Sequence, residues 1–591
     1  VIIFSGDAYI DHPSFAMALL GRLLESQGYR VGLICQPDWR DGKSVSILGR
    51  PRLFCGIGSG ALDSMLCHYT AFRKIRHQDA YTPGGEAGKR PNRAVIVYSN
   101  LVRSAFPGLP VVIGGIEASL RRLVHYDFWS DSLRRSLLLD SKADLLVYGM
   151  GERAMSEIAR RLAAGESSLT GIRGTCHAGA VPESARRLPS MEEIKAQPKL
   201  LIDATRSAEL AVQEGEYPLV QDQGGRDVVI EPPAIHLTTE ELDGIYELPF
   251  TRRQHPSYKE PIPALATIQW SICAMRGCAG GCSFCSLALH QSRHLVSRSA
   301  ASILREAKML SSLPGWKGHI SDVGGPTANL WGSSCRTGGK NCRRHSCLEP
   351  DRCPNLVTAQ MKYLDLLRKV KALPGVRHVD IASGIRHDVA LLEPEFIDGI
   401  VAEFVGGHLK LAPEHRVPRV LELMRKSRFE LFEKFCRIFS DACRKYGKEQ
   451  YIVPYVMSAF PGCTHQDMRE LTKWFSNRGW TLEQSQCFIP TPGTMATAMY
   501  YAMCAPDGTQ IHVARSDRER LEQHGIMFPK KSGREDFRPD SAPHRSVGRQ
   551  QHSPGSGTPR KSPAQPSASA KSRSYGSYQG GKGGHRRPPG R

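Results

Sequence analysis

Three cysteines within eight residues, Cys278, Cys282 and Cys285, constrain this chain more than any other feature. They lie in the run Trp-Ser-Ile-Cys-Ala-Met-Arg-Gly-Cys-Ala-Gly-Gly-Cys-Ser-Phe-Cys-Ser-Leu at 270–287. Thiolates are soft ligands that favour iron–sulfur clusters, zinc or copper(I). Three of them on one short loop can take three metal corners of a cube and leave the fourth without a protein ligand. An open corner is a place for a substrate or cofactor to coordinate. Gly277, Gly280 and Gly281 let the loop wrap tightly. Two plainer readings compete. Chance spacing of thiols is roughly a one-per-cent event at this cysteine content, and zinc sites usually show two paired cysteine arms.

The rest of the chain must deliver that loop at an accessible face. From residue 264 apolar strands and helices alternate. Strands are predicted at 267–272, 319–323, 378–382, 408–411, 451–457 and 482–489, with helices at 300–313, 356–373, 389–405, 419–446 and 466–478. Six such units predict a parallel sheet curled into a partial (β/α)6 TIM-like barrel, with its site at the carboxyl ends of the strands. Residues 1–165 alternate in the same way. Strands are predicted at 1–4, 31–35, 53–55, 94–98, 111–113 and 145–148, and helices at 14–27 and from 152. That pattern predicts a doubly wound, Rossmann-like α/β domain, with ligands at its strand ends. Those ends carry Gly6-Asp7-Ala8-Tyr9, Asp11-His12 and the glycine-rich stretches 56–60 and 114–117. Residues 166–262 are weaker in pattern and read as a connecting subdomain with helices at 191–196 and 201–214, closed by the proline-rich 256–263. The expected organisation is therefore 1–165, 166–262, 263–512 with a cysteine-rich insertion at 330–355, and a tail from 513 to 591.

The C-x3-C-x2-C spacing, with Phe284 before the last cysteine, resembles the radical SAM superfamily. The resemblance implies that Cys278, Cys282 and Cys285 hold a 4Fe-4S cluster and that S-adenosylmethionine chelates its fourth iron. Other strand ends carry the likeness further. Gly324-Gly325 resembles the Gly-Gly-Glu motif that holds the cofactor's amino group, with Pro326 in place of Glu. Ser383 and Arg386 fall where polar contacts to the cofactor are common, and Glu414 and His415 where the ribose-contacting pair lies. Phe460-Pro-Gly-Cys-Thr464 and Pro492-Gly-Thr494 resemble the turns after the fifth and sixth strands. The phrases Asp7-Ala-Tyr-Ile-Asp-His-Pro-Ser14, Gly115-Ile-Glu-Ala-Ser-Leu-Arg-Arg122, Ser321-Asp-Val-Gly-Gly-Pro-Thr-Ala-Asn329 and Ile381-Ala-Ser-Gly-Ile-Arg386 look like the YgiQ-type radical SAM proteins. The likeness covers 1–501. It implies reductive cleavage of S-adenosylmethionine to start radical chemistry, an external flavodoxin- or ferredoxin-like electron donor, and no particular substrate. Pro110-Val-Val-Ile-Gly-Gly115 resembles a strand of cobalamin-binding domains. The Asp-x-His-x-x-Gly ligand pattern is not met, so cobalamin is doubtful and a Rossmann-like domain without a corrin is the plainer reading.

Cys335, Cys342, Cys347 and Cys353 lie close together in the insertion, with Pro354 after the last. They form a candidate second metal site, for another iron–sulfur cluster or zinc, although the spacings match no standard zinc arms. The dispersed cysteines, Cys463 at a strand end among them, read as buried small hydrophobes. Arg121, Arg122, Arg134 and Arg135 suggest either an anion site or a solvated face. The net charge of +21 is uneven: 530–591 holds about 14 Lys/Arg against 3 Asp/Glu. That tail has almost no aliphatic content and is expected to stay disordered. Basic tails of this kind can contact RNA by counterion release, so an RNA-binding or RNA-modifying protein is the alternative function, and a non-catalytic metal scaffold a third. No apolar run is long enough to span a membrane, and many cysteines without a secretory signal point to the reducing cytoplasm.

Overall fold

Short, wholly apolar strands need cover on both faces of their sheet, and the N-terminal part supplies it. The structure, a computed structural model, describes residues 1–339 and 342–528. Its first elements are β1 (Ile2–Ser5), α1 (Ala16–Ser26), β2 (Gly32–Cys35), β3 (Cys55–Gly58), α2 (Ala94–Ala105), β4 (Val111–Gly114), α3 (Gly115–Leu120), β5 (Leu145–Val147) and α4 (Glu152–Ala163). The five strands are parallel in the order β2-β1-β3-β4-β5. Ile3, Val112, Leu145 and Val147 pack with Leu24 of α1 and Met155 and Ile158 of α4 on one face. Phe4, Ile57 and Ile113 pack with Val95, Tyr98 and Val102 of α2 on the other. From β1 the chain passes to β2 on one side and then to β3 on the other, so the winding reverses between β1 and β3.

Two expectations are corrected here. Residues 94–98 form the start of α2, not a strand. Val95, Tyr98, Ser99 and Val102 are buried at helical spacing, and distant side chains hold the first turn: Ala94 N donates to Ser64 Oγ at 3.1 Å and Val95 N to Glu117 Oε1 at 3.4 Å. A run of Val-Ile-Val-Tyr reads locally as β, and those remote caps are invisible in sequence. Nor do residues 166–262 stand apart as a connecting subdomain. They supply β6 (Thr175–Ala178), β7 (Arg186–Arg187), α5 (Leu200–Glu214), β8 (Leu219–Asp222) and β9 (Asp227–Ile230). These strands extend the same sheet through an antiparallel β5–β6 pair, in the order β5-β6-β9-β8-β7. Cys176, Leu219, Val228 and Ile230 share a core with Phe4 and Ile57.

The second part is built from β10 (Ser271–Cys273), α6 (Ser286–Gln291), α7 (Ala300–Ser311), β11 (His319–Ile320), β12 (Asp322–Gly324), α8 (Gln360–Lys371), β13 (His378–Val379), α9 (Pro394–Glu403), β14 (His408–Glu414), α10 (Pro418–Met424), α11 (Phe429–Tyr446), β15 (Tyr451–Ser458), α12 (His465–Ser476), β16 (Gln484–Cys487) and α13 (Met495–Ala502). Parallel ladders join β10 to β12, β11 to β13, and β14 to β15 to β16. The second predicted strand is thus split in two, pairing with the first at one end and the third at the other. Ile272, Val323, Ile381, Leu409, Leu411 and Val456 of its strands and strand ends share one core with Leu364, Ile400 and Phe432 of its helices. Its outer helices bind by amphipathic faces: Phe429, Phe432, Phe435, Phe439 and Ala442 are the buried stripe of α11. The turn Phe460–Thr464 ends in a capping box, Thr464 with Asp467, that starts α12.

The tail expected from 513 begins later. Residues 517–525 form α14 (Asp517–Gly525), with Arg520 and Gln523 buried. Gln523 donates to Cys463 O at 3.1 Å, and Arg520 to Ala71 O at 3.0 Å. The predominantly polar sequence hid a helix whose few buried groups are polar. The basic tail from 529 lies outside the described residues. Among the described residues no helix is long and apolar enough to cross a membrane.

Candidate functional site

The loop between β10 and α6 carries Cys278, Cys282 and Cys285, and the surrounding elements hold it at fixed points. Gly277 and Gly281 take φ of +83° and +60°. A Cβ at Gly277 would run into the His294 carbonyl, and one at Gly281 into the His345 carbonyl. Glycine is therefore required at both by conformation and by space. Ser283 N donates to Met424 O at 3.0 Å, Ser283 Oγ to Leu423 O at 2.6 Å, and Ala496 N to Ser283 O at 2.9 Å. The loop is so tied to α10 and α13. Phe284 meets Phe460 edge to face at 6.2 Å.

The three thiols lie within electrostatic range of one another. Burial, with Cys282 and Cys278 adding to it, pushes the Cys285 thiol up to about 12. Such a group needs a cation to become a thiolate. A cation stands beside the other two thiols: Arg386 Nη1 lies 4.0 Å from Cys282 Sγ, and Cys278 also acts on its charge. A Cβ on Gly280 would meet that same nitrogen at 2.5 Å. Arg386 is aimed by its neighbours: Nε and Nη2 pair with Asp388 at 3.0 and 2.5 Å. Asn329 holds its backbone from both sides, at 2.9 and 3.0 Å. Burial opposes the charge on both partners. The ion pair outweighs it, holding Asp388 below the usual carboxylate range and raising Arg386. Thr327 Oγ1 stands 3.6 Å from Cys278 Sγ.

The chemistry of the donor set, three thiols on one loop, suits an iron–sulfur cluster. Sulfurs on one metal ion sit at about 2.3 Å from it, and so about 3.8 Å from one another in a tetrahedron. Among the described residues no three His, Cys, Asp or Glu side chains gather in that way. A cube takes one sulfur per iron corner and spreads them wider. Soft donors, a neighbouring guanidinium and a rigid glycine-bearing loop fit a 4Fe-4S group with one corner free.

The other sequence-predicted residues divide. Glu414 ends β14 with φ of +65°; burial raises its pKa, against Lys426 and Arg386, so it faces the same cationic side as the cysteines. His415 does not. It is fully buried, its Nδ1 accepts from Val417 N at 3.1 Å, and its Nε2 meets Cys463 Sγ at 3.5 Å. Gly324 and Gly325 are explained by packing. A Cβ at Gly325 would meet Met275 O at 2.6 Å, and one at Gly324 Asp322 Oδ2 at the same distance. Ser383 is exposed and donates from Oγ to Asp322 Oδ1 at 3.1 Å. Sequence reasoning missed Asp388, Asn329, Thr327 and Lys426. The available signals were an acid two residues after Arg386 and the presence of Thr327 and Asn329 in the phrase Ser321–Asn329.

The insertion lies directly on the cysteine loop. Cys347 N donates to Ala279 O at 3.0 Å and Ser346 Oγ to Gly280 O at 2.6 Å. Cys353 N donates to Cys347 O at 2.8 Å, and Cys342 is near enough to help raise Cys347, behind burial as the main cause. Cys335 turns to Thr337 at 3.4 Å. The four are not gathered round one ion.

The N-terminal sheet points its strand ends at this region. Ser119 Oγ of α3 bonds His290 Nδ1 of α6 at 2.9 Å, and Glu152 pairs with Arg276 at 2.5 Å. His12 is buried, with Nδ1 accepting from Ser14 N at 3.1 Å and Nε2 against Arg252 at 2.9 Å. It is not free to ligate a corrin. The four arginines form no open anion site: Arg121 pairs with Asp63, Arg122 donates to Ser119 O at 2.6 Å, and Arg134 and Arg135 share Asp140.

Comparison with known proteins gives the family. The family described as Radical SAM N-terminal matches residues 1–271, and the Radical SAM superfamily matches 272–475. A UPF0313 protein of Geobacter sulfurreducens is 48% identical, the match covering 89% of this chain and 89% of that one. One from Thermotoga neapolitana is 46% identical over 90% and 96%, and one from Methanosarcina mazei 43% over 89% and 91%. Among solved structures, the radical S-adenosylmethionine methyltransferase TsrM from Kitasatospora setae matches at 15% identity and a TM-score of 0.49, over 84% of this chain and 75% of that one. The cobalamin-dependent radical enzyme OxsB matches at 12% and 0.46, over 90% and 55%. The chain belongs to the radical SAM superfamily, among its UPF0313 (YgiQ-type) members, and is a radical SAM enzyme that uses the family's 4Fe-4S cluster and S-adenosylmethionine.

Proposed function

We propose that Cys278, Cys282 and Cys285 are the cluster ligands and that the site cleaves S-adenosylmethionine reductively at the barrel mouth. The observation that carries this is the three thiols on one pinned loop, with the Arg386 guanidinium 4.0 Å from Cys282 Sγ. When bound, the cluster supplies one electron that breaks a C–S bond of S-adenosylmethionine, leaving methionine and a 5′-deoxyadenosyl radical to take hydrogen from a substrate. The chain's part is to hold, orient and exclude water. Arg386, fixed by Asp388, offsets the negative charge of the thiolates. Glu414, on the same side, is positioned to accept hydrogen bonds from the cofactor's ribose. Gly324, Gly325 and Ser383 line the strand ends beside it. The buried His415 acts through the backbone of that turn and not by contact. An external flavodoxin- or ferredoxin-like donor supplies the electron. Cys335, Cys342, Cys347 and Cys353 do not converge without a metal, and are proposed to close on a second metal group, iron–sulfur or zinc, as it binds.

Anaerobic reconstitution followed by dithionite and S-adenosylmethionine tests the reading. 5′-Deoxyadenosine should form with the intact protein and fall to background in Cys278→Ala, Cys282→Ala and Cys285→Ala. A fully iron-loaded protein that gives none overturns it. Iron, sulfide and zinc content in the triple variant separates the two cysteine groups, because metal retained there belongs to the insertion.

A further inference from the structure

The electron in the proposed reaction comes from outside the chain, so some face of the molecule must receive its carrier. The side of the cluster with the free corner is taken by S-adenosylmethionine, and helices α10 and α13 hold Ser283 of the cysteine loop. The insertion covers the loop more thinly. Cys347 N donates to Ala279 O at 3.0 Å and Ser346 Oγ to Gly280 O at 2.6 Å, and the His345 carbonyl fills the space opposite Gly281. Residues 345–347 thus lie on 279–281, and His345 is itself exposed. One layer of chain separates solvent from the cysteine loop here.

That layer is framed by positive charge. Arg336, Arg343 and Arg352 are exposed. Arg336 N donates to Asn355 O at 2.9 Å, and Cys353 N to Cys347 O at 2.8 Å. The two bonds bring Arg336 and Arg352 to the segment that lies on the loop. Arg344 and Arg293 stand half-buried behind them. Arg344 donates through Nε to Ser346 O at 3.0 Å and through Nη2 to Asp351 O at 2.5 Å. Arg293 donates to Arg344 O, and its Nη2 lies 3.6 Å from Cys347 Sγ. Both arginines spend their hydrogens on carbonyls and a thiol, which leaves their charge in place. Of the insertion's two acids, Glu349 is buried with its carboxylate 3.4 Å from His345 Nε2, and Asp351 is exposed.

A patch of one sign speeds encounter with a partner of the other and does so less at high salt. Redox encounters need only a small interface. RNA would answer to the same charge, but it has no electron to give, and the patch lies over the cysteine loop.

We infer that the basic face of the insertion, Arg336 and Arg352 with Arg344 and Arg293 behind them, docks an acidic one-electron carrier protein. The carrier, a reduced flavin or iron–sulfur protein, loses one electron across residues 345–347 as the cluster gains one. The inference rests on Cys278, Cys282 and Cys285 being the cluster ligands. The test uses the full, iron-loaded protein with a reduced flavodoxin as the probe, and reads association by surface plasmon resonance at low and high salt. Arg336→Glu/Arg352→Glu should slow association about tenfold at low salt and flatten its salt dependence. 5′-Deoxyadenosine formation driven by flavodoxin should fall with it. Formation driven by dithionite, which needs no docking, should hold, as should iron content. Arg336→Gln/Arg352→Gln should give a smaller loss in the same direction and serves if the charge reversal misfolds. Arg437→Glu/Arg444→Glu on α11 makes the same change in net charge on other exposed arginines and should leave both readouts unmoved. Association unchanged in both insertion variants, or slowed equally by the α11 pair, overturns the inference. So does a tRNA transcript that loses binding in the insertion variants while flavodoxin keeps its rate. Failure of dithionite to yield 5′-deoxyadenosine in the wild type defeats the reading of the cysteines instead, and flavodoxin association still decides the docking face.

Discussion

The two strand-end regions of this molecule use glycine for opposite reasons. On the cysteine loop, Gly277 and Gly281 are filled positions: carbonyl oxygens of His294 and His345 occupy the space where a Cβ would go, and φ is positive at both. On the N-terminal sheet, Gly58 and Gly114 have ordinary backbone and room to spare. The first region is complete in its own packing and needs its glycines in order to close. The second stops short of packing. A count of glycines cannot separate these cases; what stands opposite each missing side chain can.

The largest expected effect is on the packed side. Arg386→Met leaves Asp388 buried without its cation; their side chains are 10% and 6% exposed. Removing one member of such a pair costs about 3–5 kcal/mol. A urea unfolding series should show that loss, and iron loading of the cysteine loop should fall with it. An unchanged midpoint would mean the pair is not what fixes the guanidinium beside the thiols. Next comes Gly281→Ala, with a cost of about 3 kcal/mol from a left-handed alanine driven onto a carbonyl. Weakened iron binding with the N-terminal sheet still folded, read by hydrogen exchange, would confine the damage to the loop.

These positions also mark how far the sequence could be read. The cysteine spacing, the six β/α units and the parallel order of the first strands follow from periodicity and turn chemistry, because each is encoded within a few residues. The helix Ala94–Ala105 was misread since its N-terminal donors are satisfied by Ser64 and Glu117, at 30 and 22 residues' remove. The extension of the sheet by β6 to β9 was hidden because strands of two to four residues carry little pattern. Of the proposed site, the three cysteines and Arg386 were singled out from sequence, and the structure brings Arg386 beside Cys282. His415 faces Cys463 in the interior, because the left-handed turn at Glu414, φ +65°, takes the chain out of the strand just before it.

The two regions should also titrate with opposite sign. Burial holds His415 at about 4, with Asp467 opposing and Arg419 assisting, and Cys463 against its ring. The unfolded chain takes up that proton first, near 6.5. Stability present above pH 6.5 is therefore lost as pH falls toward 4, by about 1 kcal/mol per pH unit from this group. His415→Asn should flatten the thermal midpoint over that window. Burial instead raises Asp7 to about 6, against Arg90 and the Ala61 hydrogen bond, with Asp79 adding to the rise. Its contribution is full below the ordinary carboxylate value near 3.8 and is lost as pH rises through 6. Asp7→Asn should remove a slope of the contrary direction. Matching slopes for the two variants would contradict the burial assigned to one of them.

The smallest effect is the most informative. Gly58→Ala places a methyl where the nearest foreign atom is Gly114 O at 3.7 Å, on a strand without positive φ. Lower chain entropy in the unfolded state stabilises such a change by about 0.4–1 kcal/mol. The thermal midpoint should hold or rise slightly, against the steep fall for Gly281→Ala. A drop of about 2 kcal/mol or more would show that the fold itself needs glycine at 58. The contrast between the two regions would then be one of degree, and the in-register row Ser5–Gly58–Gly114 would be ordinary core. A neutral result leaves a strand that tolerates alanine yet carries glycine, so its own packing is not what requires one there.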